Sequence, residues 1–273
     1  LSCVHPGVCE NLVTDHAPLI DLMKKVRAEK GVKRVYIASG VRYDLANESP
    51  EFIREMAAHH TGGQLSVAPE HNDTDVLDKM KKPPIEHYER FAQAFCQASE
   101  DAGKQQYLIP YLITGHPGSD VVDTIALAQY LKRNRLKPRQ IQDFIPTPMA
   151  MATAMYYSGH DPFTLEPVKT VRSLREKRQM KALVFYWDEQ HWPLAREALR
   201  EAGRRDLIGN GADCLVPSGP RATGDGFERR SSGQHGSAQR GSPRGPGRPG
   251  PGGHGPGQKR PGRRERRGST PQR

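Results

Sequence analysis

The sequence is poor in cysteine, has no long apolar run and, outside one end, has no net charge. Each shortage removes a class of protein. Four cysteines in 273 residues (Cys3, Cys9, Cys96 and Cys214) are too few and too scattered for a disulfide scaffold, so a reducing, cytoplasmic setting is expected. No stretch of about 18 apolar residues occurs, so neither a spanning helix nor a membrane partner is expected. Residues Leu1 to Asp15 lack a basic stretch followed by an apolar one, so no signal peptide is expected there.

The formal charge of +10 belongs to one end of the chain. Thirteen of the 41 basic residues lie between Gly219 and Arg273 with only three acids, leaving 28 residues of each sign in positions 1–218. The tail's apolar side chains are Ala222, Phe227 and Ala238, set among recurrent Gly and Pro. Such a segment buries too little to offset an ordering entropy of about 1–2 kcal/mol per residue, so it is expected to be disordered. It reads either as a solvated extension or as an arm making weak, salt-sensitive contact with nucleic acid.

Positions 1–150 alternate helical and strand patterns. Helices are expected at His16–Lys30, Ser49–His60, Asp73–Met80, Ile85–Ala102 and from Ser119, as its cap, onward, with strands at Arg34–Ser39, Gln64–Ala68, Gln106–Thr114 and Ile141–Ile145. Short strands separated by helices imply parallel β/α units, either part of a barrel or a doubly wound sheet. In both, ligands sit at the carboxyl ends of the strands. The polar and turn-forming residues fall there: Ser39-Gly40-Val41-Arg42, Pro69-Glu70-His71, Gly115-His116-Pro117-Gly118 and Pro146-Thr147-Pro148. After Met149 the rhythm stops. Thr164–Tyr186 and Trp192–Ala202 read as helices, so a small helical unit is expected at 151–218, before the tail at 219–273.

Individual residues carry competing readings. Arg42 suits a carboxylate held bidentately or a surface ion pair. Glu70 suits a ligand amine or ribose hydroxyl, or a helix cap. Gly115 to Gly118 lets backbone approach a ligand at a helix start, or is an ordinary turn; the Lys of a triphosphate loop is absent. His59-His60 and Lys79 to Lys82 read as solvated helix faces, and Cys96 as core. Cys3 and Cys9 are spaced more widely than paired zinc ligands.

Several segments together resemble the YgiQ-like family of radical S-adenosylmethionine (radical SAM) proteins. They are Ser2-Cys-Val-His-Pro-Gly-Val-Cys-Glu-Asn-Leu12, Ile37-Ala-Ser-Gly-Val-Arg-Tyr-Asp-Leu45, Val67-Ala-Pro-Glu-His71, Leu77-Asp-Lys-Met-Lys-Lys-Pro83, Gln106-Tyr-Leu-Ile-Pro-Tyr111, Gly115-His-Pro-Gly118, Pro146-Thr-Pro-Met-Ala-Met-Ala-Thr-Ala-Met155 and Asp206-Leu-Ile-Gly-Asn-Gly211. The resemblance implies an α/β fold: the C-terminal part of a partial, TIM-like (β/α) barrel with a helical appendage. It implies a [4Fe-4S] cluster held by a CxxxCxxC loop, which binds SAM and cleaves it to a 5′-deoxyadenosyl radical acting on an unknown substrate. An electron donor such as flavodoxin or ferredoxin is implied as partner. This sequence contains no CxxxCxxC, so the resemblance places the cluster ligands upstream of Leu1 and leaves the chain alone inactive. What carries over is the far wall of the SAM site: Ser39, Arg42, Glu70, His71, Thr114, Gly115, His116 and Pro117. Whether Cys3, His5 and Cys9 join upstream cysteines in a second metal site is left open, as is a non-catalytic binding module anchored by the basic tail.

Overall fold

A computed structural model describes residues 3–219; the expectation of a disordered tail lies outside these residues. The first helix, α1 (Ala17–Ala28), starts with proline in its first turn and buries Ile20 and Met23. A short helix α2 (Tyr43–Ala46) precedes α3 (Pro50–Glu55), where the Ser49 hydroxyl accepts from the Phe52 amide. The chain then widens into a π-helical turn, Met56–His60. There follow β1 (Gln64–Glu70), α4 (Thr74–Lys79), α5 (Ile85–Asp101), β2 (Tyr107–Thr114), α6 (Val121–Arg133) and β3 (Gln142–Asp143). Helices α7 (Met151–Ser158), α8 (Leu174–Val184) and α9 (Trp192–Glu201) complete the described elements longer than one turn.

The strands form a parallel sheet in the order β1-β2-β3, so the class is α/β, as expected. Four strands were expected, and the described residues form three. Residues 34–39 pair with no strand: the Ile37 amide donates to the His60 carbonyl, and only Val41 bridges to Val67 of β1. The fourth expected strand, 141–145, shortens to β3, and the Phe144 amide donates to the Thr114 carbonyl at the end of the ladder. The basic stretch 164–186 is helical only from Leu174, with Ser173 as its cap. Upstream, Leu165 has a positive φ of 61° and His160 bridges to Pro167.

Alternate residues of each strand face a helical layer. Leu65 and Val67 join a core with Phe52, Met56, Phe91 and Phe95, while Leu112 joins a second core with α6, α8 and α9. Helices α8 and α9, which fall in the small helical unit expected at 151–218, pack in one core with Leu112 and α6. The other sheet face leaves Tyr107, Ile109 and Tyr111 exposed. Among the described residues no helix is long and apolar enough to cross a membrane.

Three expectations about single residues are corrected by the packing. Cys96 is exposed, one position off the buried stripe of Phe91, Phe95 and Ala98, and its thiol faces Glu100. His60 is fully buried between the Val35 carbonyl and Glu55. Lys79 and Lys82 do not lie on a free face but pair with Asp161 and Glu70.

Candidate functional site

The carboxyl end of β1 is bent by a single residue. The β1–β2 register shifts between Val67 and Glu70, and Glu70 adopts φ 67°, a left-handed conformation for a side chain with no glycine freedom. The His71 amide donates to the Pro69 carbonyl at 2.8 Å, closing a γ-turn centred on Glu70. This kink sends Glu70 and His71 into different surroundings.

Glu70 meets Lys82 at 3.4 Å, and Lys82 also donates to the Ala68 carbonyl. Burial raises the Glu70 carboxyl above its ordinary value against the pull of Lys82. Nearby, Arg42 grips Asp44 through Nε and Nη2 at 2.9 Å each, so its fork is already occupied by a carboxylate of the chain. Tyr43 is buried with its hydroxyl unpartnered; burial, then Asp44 and Glu70, hold the phenol well above its usual range. A cleft of about 170 Å³ runs between Arg42, Asp44, Ala68 and Lys82. Ser39 is exposed and precedes the Val41–Val67 bridge; it joins none of these contacts.

His71 is buried, with 1 % exposure. The Asp73 amide donates to its Nδ1 at 3.0 Å, so the neutral ring must carry its proton on Nε2. That Nε2 is buried without a partner. Burial lowers the imidazole from 6.5 to about 4 against the opposing pull of Asp73, with a smaller downward contribution from His116. His116, also buried, donates from Nδ1 to the Pro117 carbonyl at 2.8 Å, which leaves its Nε2 as an acceptor. Burial lowers its pKa as well. One neutral histidine therefore offers a donor and the other an acceptor.

The remaining strand-end residues are held by elements distant in sequence. Thr114 is buried and donates to Asp143, which Lys181 of α8 reaches at 3.1 Å. Gly115 takes φ 69° and packs near the stem of Lys177. At Gly118 (φ 97°) a side chain would strike Lys79 at 3.0 Å, and its amide bonds the Lys169 carbonyl. The cap of α6 is Asp120, not the expected Ser119: Asp120 and Asp123 form a reciprocal capping box. Ser119 is instead fully buried with an unpartnered hydroxyl.

Sequence reasoning missed an aromatic wall beside His116. Phe144 meets the imidazole edge-on at 5.2 Å, Tyr156 lies 5.6 Å from Phe144, and Arg172 and Lys177 stand over the Tyr156 ring. The only local signal was that Phe144 falls in the expected strand 141–145, just before Pro146-Thr147-Pro148. Among the described residues no three His, Cys, Asp or Glu side chains gather to hold a metal. His5, placed between Cys3 and Cys9 in sequence, bonds Asp78 instead.

Comparison with known proteins decides the family. A UPF0313 protein of Pseudomonas aeruginosa is 52 % identical over 229 residues, covering 82 % of this chain and 31 % of the relative. One from Rhodopseudomonas palustris is 52 % identical over 223 residues, covering 80 % of this chain and 33 % of the relative. The UPF0313 protein YgiQ of Salmonella typhimurium is 47 % identical over 223 residues, again 80 % of this chain and 31 % of the relative. The chain belongs to the UPF0313 family. A domain of unknown function, DUF3362, also matches residues 139–261. This UPF0313 chain spans about a third of the length of these relatives, and the resemblance to the YgiQ-like family read from its motifs is borne out.

Proposed function

We propose that this chain supplies the later strand ends of a barrel in a radical SAM enzyme, and that its His71–His116 region faces the nucleoside part of SAM. The supporting observation is the pair of buried, neutral histidines with complementary Nε2 atoms at the carboxyl ends of adjacent parallel strands. Such a pair recognises hydroxyl groups, which both donate and accept, rather than anions. The unpartnered Ser119 hydroxyl adds a third polar atom, and the Phe144 ring beside His116 offers an aromatic surface to a flat base. Arg42 and Glu70 are less available, since each is engaged by Asp44 or Lys82.

The cysteines do not fit an iron–sulfur cluster. Cys3, Cys9, Cys96 and Cys214 are free and no three ligands converge among the described residues, so no step through a cluster is derived from this chain. The residues present act by binding and orienting. Thr114, Gly115 and Gly118 fix the loop backbone, and Asp73 fixes the His71 tautomer.

The test uses the longer Pseudomonas aeruginosa relative, reconstituted anaerobically with iron and sulfide and supplied with SAM and a reductant. Release of 5′-deoxyadenosine is expected. Alanine at the position aligned with His116 should raise the SAM concentration needed for half-maximal release. A reconstituted protein that consumes no SAM would end the proposal.

A further inference from the structure

The first described residues fold back on themselves. In Cys3-Val-His-Pro-Gly-Val-Cys9 a Pro-Gly pair, which reverses a chain, lies between two cysteines. The reversal brings them together: the Cys9 amide donates to the Cys3 carbonyl at 2.8 Å. A backbone bond of this kind holds two α-carbons about 5.5 Å apart, within the span of about 4.4–6.8 Å that a disulfide bridges.

Two further contacts fix this loop. His5, inside it, meets Asp78 of α4 at 3.1 Å, and the Leu12 amide donates to the Cys9 carbonyl at 2.9 Å. Both thiols are free. The other two cysteines have different neighbours: Cys96 faces Glu100, and the Cys214 thiol meets the Asp206 carbonyl. The bond that pairs Cys3 with Cys9 is local to the loop, so it holds whatever else covers the sheet.

We infer that Cys3 and Cys9 are a modification site, forming a reversible intramolecular disulfide with a low-molecular-weight disulfide such as oxidised glutathione as oxidant. One thiolate attacks a glutathione sulfur, the protein–glutathione S–S bond forms, and one glutathione leaves as its thiolate. The second cysteine then attacks the protein sulfur of that mixed disulfide, the Cys3–Cys9 bond forms, and the second glutathione leaves. The two cysteines lose two electrons and two protons, and one oxidised glutathione becomes two reduced molecules. Because folding has already closed the loop, the second thiol acts at an effective concentration well above that of millimolar glutathione. In a reducing compartment such a bond is a transient response to oxidation rather than a scaffold. The inference is independent of the SAM reading, since it uses none of the residues around His71 and His116.

The test equilibrates the reduced, full 273-residue chain with equal millimolar concentrations of oxidised and reduced glutathione, with a chelator present to keep metal off the thiols. Acid quenching, alkylation and trypsin then yield a peptide of residues 1–24 that contains both cysteines. This peptide should appear mainly two hydrogens lighter and unalkylated, exceeding its mixed disulfides by about tenfold or more. Cys96 and Cys214 should appear only alkylated or as mixed disulfides, and dithiothreitol should restore alkylation of Cys3 and Cys9. In Cys9→Ser, Cys3 should carry glutathione to the same extent as Cys96. Mixed disulfides on Cys3 and Cys9 at the level of Cys96, or links from either to Cys96 or Cys214, would overturn the inference. A Cys3–Cys9 link whose yield rises with protein concentration would be intermolecular and would overturn it too. An unchanged thermal transition in Cys9→Ser guards against misfolding.

Discussion

At Glu70 a side chain occupies a backbone conformation that suits glycine, at a cost of about 1–2 kcal/mol. Glu70→Gly should therefore be more stable to denaturant than Glu70→Ala by about 1 kcal/mol, because both lose the Lys82 pair but only glycine relieves the strain. Equal stabilities would locate no strain there. His71 makes a second, pH-dependent contribution. Its folded pKa of about 4 lies below the ordinary 6.5, so between these values the unfolded chain binds the extra proton. The stability is thus complete above about pH 6.5 and falls as pH drops toward 4, by about 3 kcal/mol in all. His71→Gln should flatten that slope in thermal melts between pH 7 and pH 4.5; an unchanged slope would put the titrating group elsewhere. Glu70 and His71 were legible as strand-end residues, because a polar pair follows a run of β-type residues. The γ-turn that separates them was not, since Pro-Glu-His contains no glycine to announce a positive φ.

Helix α6 shows how local chemistry places an element and how distant contacts then secure it. Asp120 accepts from the Val122 and Asp123 amides, Asp123 returns a bond to the Asp120 amide, and Lys169 reaches Asp120 at 2.6 Å. Asp120→Ala should cost about 1–2 kcal/mol in urea unfolding. Asp120→Asn, which keeps the cap and loses the charge, should fall between this variant and the parent. No difference between alanine and asparagine would mean that the cap contributes nothing. Ser119 was the expected cap because Ser and Asp are equivalent capping types one residue apart, and only the burial of Ser119 distinguishes them. The segment 34–39 failed as a strand for a comparable reason. Its pattern is strand-like, but its Ile37 amide is consumed by the end of the π-helical turn rather than by β1.

Across the whole molecule, the core that joins Leu112, Leu127 and Leu131 to Leu183 and Leu199 binds the last helices to the sheet. Leu183→Ala should cost about 2–5 kcal/mol and lower one cooperative transition, followed both by far-ultraviolet dichroism and by fluorescence of Trp187 and Trp192. Two separated transitions would show that the small helical unit expected for 151–218 unfolds on its own. The sequence by itself determined the α/β rhythm, the end of α5 just before Gly103, the charge-balanced body and the kinship with UPF0313 proteins, because period, turn chemistry and motif order are local properties of a chain. Only the tertiary structure decided that His71 and His116 present opposite hydrogen-bonding atoms, that Arg42 and Lys82 are already paired, that Cys96 faces outward, and that Phe144 and Tyr156 stand beside His116. Those outcomes depend on which groups, tens of residues apart, share one dehydrated space, and burial and pairing there are set by every element that packs around them.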